Sequence, residues 1–114
     1  MQRDKRKHLG GMWEATAGGS ALQGEDPLSC ARRELFEETG IESDELIEIG
    51  RVLHYSHKTY YVDYLCITDA DKNSIVLQDG ETYAFKWVTA KELRSMSRNE
   101  LATMRQLNFI EELT

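Results

Sequence analysis

Hydrophobic and polar positions follow two different periods along this chain. Between Asp26 and Gly40, the apolar residues Leu28, Ala31 and Leu35 recur at helical spacing, which suits one face of a helix packed on a sheet. The ends of the segment agree with that reading. Asp26 is a good N-cap, Pro27 (the only proline) stands at the first helical position, and Gly40 follows the last periodic residue. The pattern predicts a helix from residue 27 to about 39. Residues 12–17 alternate loosely and run into Gly18-Gly19, which predicts a short strand entering a glycine loop. Residues 46–49 and 52–55 read as one bent strand or two short ones around Gly50-Arg51. Residues 59–68 and 83–88 read as further strands, the first rich in β-branched and aromatic residues, with a polar loop over 69–80. Thr89 with Glu92, and Ser97 with Glu100, each fit a capping box. The second opens a final helix with Leu101, Met104, Leu107 and Ile110 facing inward. The order strand, helix, several strands, helix predicts a mixed α/β domain in which helices cover a sheet. No repeat or linker divides the chain, so residues 1–114 read as one domain.

Composition narrows the function classes. The 114 residues are 40% hydrophobic and 30% charged, ordinary for a globular domain. No apolar run reaches membrane-spanning length and no signal-peptide pattern opens the chain, which favours the cytoplasm. Cys30 and Cys66 form no CxxC pair and no zinc spacing, so they read as reduced, buried thiols. A net charge of −6 argues against broad electrostatic binding to nucleic acid. It leaves room for a small phosphorylated ligand, because a bound metal reverses the local field. The charge is uneven: Arg3, Lys5, Arg6 and Lys7 make the start basic, while residues 25–48 are strongly acidic.

The acidic segment carries the chemistry. On a helix, Glu34, Glu37 and Glu38 are three and four positions apart and converge on one side, where like charges destabilise the helix. A divalent cation removes that repulsion, and hard carboxylate oxygens suit Mg²⁺ or Mn²⁺, leaving positions for water and phosphate oxygens. Arg33 stands four residues before Glu37 and can pair with it, orienting a carboxylate from behind. Gly18 and Gly19 allow the backbone to come close to an ion, so a carbonyl there is a further candidate ligand. The bland alternative is a solvated acidic helix face.

The spacing resembles the box of the Nudix family. Its positions are filled here by Gly19, Glu25, Arg33, Glu34, Leu35, Glu37, Glu38, Gly40 and Ile41 without a departure. The resemblance implies a Nudix-type mixed β-sheet sandwiched between helices, and a metal-assisted attack of water on a phosphorus of a diphosphate. It implies a substrate in which a nucleoside diphosphate is linked to another group, and Mg²⁺, with Mn²⁺ as the alternative. It places Glu34, Glu37, Glu38 and the Gly18 carbonyl around the metal. Glu34, Glu38 and Glu81 are the candidates for general base, Glu81 because family members often carry a Glu in a comparable loop. Glu25 has two open readings, a bond to backbone at the helix start or a contact with the metal.

The run from Gln2 to Gly19 resembles family members related to isopentenyl-diphosphate isomerases. True isomerases of this fold need a cysteine near the strand before the box, where this chain has Thr16 and Ala17. A strand expected ahead of the Gln2-Arg3 pair is missing, which predicts an uncovered sheet edge and either a homodimer or a compromised substrate pocket. The rival reading is therefore a Nudix-fold protein that binds metal and diphosphate without turnover. Other candidates are weaker. His54 and His57 point to opposite faces of extended chain and read as sheet residues. Trp13, Tyr60, Tyr61, Tyr64 and Trp87 read as core before base-stacking platforms. The basic run at the start reads as a solvated terminus, with Arg3 and Arg6 as alternative phosphate contacts.

Overall fold

A computed structural model describes residues 1–54, 59–97 and 99–101. The elements run β1 (Gln2–Arg3), α1 (Pro27–Thr39), β2 (Leu46–His54), β3 (Thr59–Cys66), β4 (Thr82–Ala84) and α2 (Ala90–Ser95).

Helix α1 forms where its punctuation demands. Asp26 keeps an extended backbone and its Oδ1 accepts the Ser29 amide at 2.8 Å, while Pro27 opens the first turn. At the other end Gly40 adopts φ 78°, and its amide donates to Phe36 O at 2.8 Å. A left-handed C-terminal residue of this kind closes a helix cheaply only as glycine. The apolar stripe is less covered than its periodicity predicts. Leu28 is 39% exposed and Ala31 and Leu35 are only half-buried, whereas the buried helix residues are Cys30, Glu38 and Thr39. The helix therefore buries a carboxylate where a leucine stripe was expected.

Strands β2 and β3 form an antiparallel pair from Leu46↔Cys66 to His54↔Thr59. The register shifts between Glu48 and Gly50, so the bend expected near Gly50-Arg51 is a bulge within one strand. Strand β1 pairs antiparallel with β4. Among the described residues these are two separate two-stranded sheets. The strand expected over residues 12–17 reduces to isolated bridges of Trp13 with Gln2 and with Leu101. Its backbone is still paired at one end: Arg3 N donates to Met12 O at 2.8 Å, and Glu14 N to Met1 O at 2.7 Å. The strand expected over 83–88 is realised as β4, Thr82–Ala84, paired with β1.

Thr89 closes the expected capping box on α2, accepting the Glu92 amide while Glu92 reaches back to the Thr89 amide. At Ser97 the amide donates to Glu100 Oε1 at 3.1 Å. The final helix expected beyond it, with Met104, Leu107 and Ile110, lies outside the described residues, as does His57. The aromatic residues divide. Tyr60 is 58% exposed and Trp87 46%, so neither is the core residue its strand position suggested, while Trp13 is half-buried beneath the Lys86 ammonium, 4.4 Å from its ring centre. Both cysteines are free; Cys30 is buried and Cys66 half-buried. No helix among the described residues is long and apolar enough to cross a membrane.

Candidate active site

The site forms where α1 faces the Gly18-Gly19 loop. The Gly18 amide donates to Glu38 Oε2 at 2.9 Å. Gly19 lies against the Glu34 carboxyl so closely that a Cβ built on it would stand 2.7 Å from Glu34 Oε1. Gly19 thus leaves the Glu34 carboxylate a space that a side chain would fill, whereas a Cβ at Gly18 would meet nothing within 4 Å.

Glu38 is the buried member of the cluster. Burial pushes its carboxyl up to about 7 from the usual 4.5, against the pull of the Gly18 amide, and the negative charges of Glu34, Glu14 and Glu81 add to the rise. Three carboxylates from three different segments therefore bear on Glu38 through their charge. Glu34 comes from the same helix, Glu81 from the turn before β4, and Glu14 from the stretch paired with β1. Glu14 was missed by the sequence reading. Its only signal was its place in the Trp13-Glu14 pair just ahead of the glycine loop.

Arg33 organises the other side of the helix. Its Nε donates to Glu25 Oε2 at 2.8 Å and its Nη2 to Glu25 Oε1 at 3.0 Å, while Nη1 reaches Glu34 at 2.9 Å and Glu37 at 3.1 Å. The guanidinium holds the Glu25 carboxyl down to about 2, assisted by the Leu22 amide. Of the two readings of Glu25, the observed bonds are to Arg33 and to backbone near the helix start. The multiple carboxylates in turn keep Arg33 charged.

The basic start of the chain is not simply solvated. Arg3 Nη1 pairs with Glu14 at 2.5 Å, Lys7 Nζ pairs with Glu81, and Arg6 pairs with Asp4. Arg3 is thus committed to a carboxylate of the site.

As the side chains stand, no three His, Cys, Asp or Glu residues among those described are gathered to hold a metal ion. Arg33 is spread over Glu34 and Glu37 instead. The donor chemistry nonetheless fits a hard divalent cation: all of these donors are carboxylates, one is raised by burial and then by its anionic neighbours, and a glycine backbone lies alongside. A cation there relieves the repulsion that the fold otherwise sustains.

A helix bearing this carboxylate set against a double-glycine loop is the hallmark of a Nudix-type hydrolase domain. The chain belongs to that family, the NUDIX domain model matching residues 1–113. It is 33% identical to an uncharacterised Nudix hydrolase of Listeria innocua over 103 residues, 89% of this chain and 60% of that protein. It is 35% identical to another from Listeria monocytogenes over 85 residues, 74% of this chain and 50% of that protein. A shorter segment of 37 residues, 32% of the chain, is 54% identical to an RNA pyrophosphohydrolase of Bartonella clarridgeiae, covering 21% of it. The chain spans little more than half the length of the two Listeria relatives it matches.

Proposed function

We propose that this domain hydrolyses a diphosphate linkage in a nucleoside diphosphate joined to another group, with a divalent cation, Mg²⁺ or Mn²⁺, as cofactor. The observation that carries the reading is Glu38: a buried carboxylate on the motif helix, bonded to the Gly18 amide and within the field of the Glu34, Glu14 and Glu81 charges. Glu34, Glu37, Glu38 and the Gly18 carbonyl would hold the metal. When bound, the cation supplies charge neutralisation of diphosphate oxygens and eases ionisation of water. The chain's own part is proton transfer and orientation. Water attacks phosphorus, its proton passes to a carboxylate, and the bond from phosphorus to the bridging oxygen breaks. Glu38 is one candidate for that carboxylate. Glu34 and Glu81 are the alternative bases, while Arg33 and Glu25 fix the carboxylates from behind. Within this reading the two antiparallel pairs belong to a larger, helix-covered Nudix sheet. The acidic charge favours a small-molecule substrate, although the likeness to an RNA pyrophosphohydrolase makes a 5′-phosphorylated RNA end worth including.

The test is release of phosphate, after phosphatase treatment, from ADP-ribose, dinucleoside polyphosphates, nucleotide sugars, oxidised nucleoside triphosphates and 5′-triphosphorylated RNA. Turnover with Mg²⁺ or Mn²⁺ that EDTA abolishes and Glu38→Gln lowers severely is the expected result. Saturable, metal-dependent binding without turnover of any of them would instead make the domain a binding protein.

A further inference from the structure

The loop that follows β1 is folded back on itself by its own backbone. Lys7 N donates to Asp4 O at 3.0 Å, Gly10 N to Lys7 O at 2.9 Å, and Gly11 N to Arg3 O at 2.9 Å. Gly10 packs so tightly that a Cβ there would meet Lys5 O at 2.6 Å. The loop is also tied to the turn before β4, since Asp4 N donates to Glu81 O at 3.0 Å. From this braced loop the Lys7 ammonium reaches the Glu81 carboxylate, 74 residues along the chain. At the loop's base Arg3 pairs with Glu14. Glu34, Glu14 and Glu81 therefore each carry a cationic partner, whereas Glu38 has no ion pair among the described residues.

Glu81 is the member of the cluster with most freedom to leave. Its side chain is 40% exposed, against 13% for Glu34 and 25% for Glu14. Repulsion from Glu38 and the favourable hydration of a free carboxylate both draw it outward. An ammonium fixed on a braced loop opposes that motion.

We propose that Lys7 is a positioning residue that holds the Glu81 carboxylate at the site beside Glu38. The inference rests on the reading of this site as hydrolytic, and on Glu81 acting in it. Lys7 itself meets a carboxylate and is assigned no contact with substrate.

Two measurements on Lys7→Ala and Lys7→Arg test it. In the metal-loaded protein, the Lys7→Ala change lowers kcat on the order of 10- to 100-fold, the usual effect of losing a residue that orients a functional side chain. KM stays within about twofold, the mark of an interaction outside substrate binding, and Lys7→Arg recovers most of the loss. Combined with Glu81→Gln, Lys7→Ala adds nothing further, as expected for two residues acting as a unit. Unchanged kcat, a rise in KM alone, or multiplying effects in the double variant would overturn the proposal. The second measurement needs no turnover. Mn²⁺ broadens the Glu81 side-chain NMR resonances in the unmodified protein, less in Lys7→Ala, and again fully in Lys7→Arg. Absence of that broadening in the unmodified protein, or its persistence in Lys7→Ala, would equally refute it. If the broadening follows this pattern while no substrate is hydrolysed, Lys7 still holds Glu81 near the metal, and the hydrolase reading and the part of Lys7 in hydrolysis fall together.

Discussion

Gly18 and Glu38, twenty residues apart, are joined by a 2.9 Å hydrogen bond from the amide of one to the carboxylate of the other. That bond lowers the cost of burying the carboxylate without cancelling it, and Glu38 stays raised to about 7. Between pH 4.5 and about 7 the folded protein holds a proton here that the unfolded chain has already released. The metal-free protein is therefore expected to lose stability as pH rises through that window, its contribution complete below 4.5 and gone above 7. The loss is about 1 to 2 kcal/mol once solvent screening is discounted. Urea denaturation in EDTA at pH 4.5, 6 and 8 measures it. Glu38→Gln flattens the dependence, and Mn²⁺ restores stability at pH 8 in the unmodified protein alone.

Gly19→Ala separates stability from function. The new Cβ meets Glu34 Oε1 at 2.7 Å and its carboxyl carbon at 2.8 Å. Those atoms are the far end of a flexible side chain, and Gly19 is not among the residues with positive φ. Glu34 moves aside at a cost below about 1 kcal/mol, well under that of overpacking a rigid core. Its carboxylate then leaves the site. The expected outcome is a nearly unchanged melting temperature with activity down by roughly 10-fold or more, as for a displaced metal-site group. A normal kcat/KM in this variant would show that Glu34 is not required where the structure puts it.

Arg33→Lys tests whether charge or shape matters on the back of the helix. An ammonium keeps the charge but cannot span Glu25, Glu34 and Glu37 together as the planar guanidinium does. The Glu25 carboxyl, now held down to about 2 chiefly by its bonds to Arg33, titrates closer to the ordinary carboxylate range in the variant. Carboxyl NMR during an acid titration reads that rise. Activity falls about 10-fold, with metal affinity weakened in parallel. A Glu25 titration unmoved by the substitution would mean that the pair is not formed in solution.

Helix α1 was legible in the chain because its instructions are local. An Asp cap, a proline in the first turn and a glycine able to adopt positive φ act within a few residues of the bonds they make. The same locality made the spacing of Arg33, Glu34, Glu37 and Glu38 readable, since three- and four-residue steps fix neighbours on a helix. An interruption near Gly50 was legible too, but as one bent strand or two short ones; the pairing with β3 makes it a bulge in one strand. Local signals failed where a partner set the outcome. Residues 83–88 have strand character throughout, but β4 covers only Thr82–Ala84, the residues that pair with β1.

What the sequence determined by itself was the helix, its carboxylates and the glycines facing them, and hence the family. Only the tertiary structure decided which of those carboxylates is buried and which groups surround it. The charges of Glu14 and Glu81 come to bear on Glu38 through the pairing of β1 with residues 12–14 on one side and with β4 on the other. That pairing also turns Arg3 and Lys7 from a basic terminus into partners for the two added carboxylates. Contacts across so many residues have no periodicity to announce them. They exist because backbone hydrogen bonds between distant segments bring charges together, and each charge then settles where another compensates it.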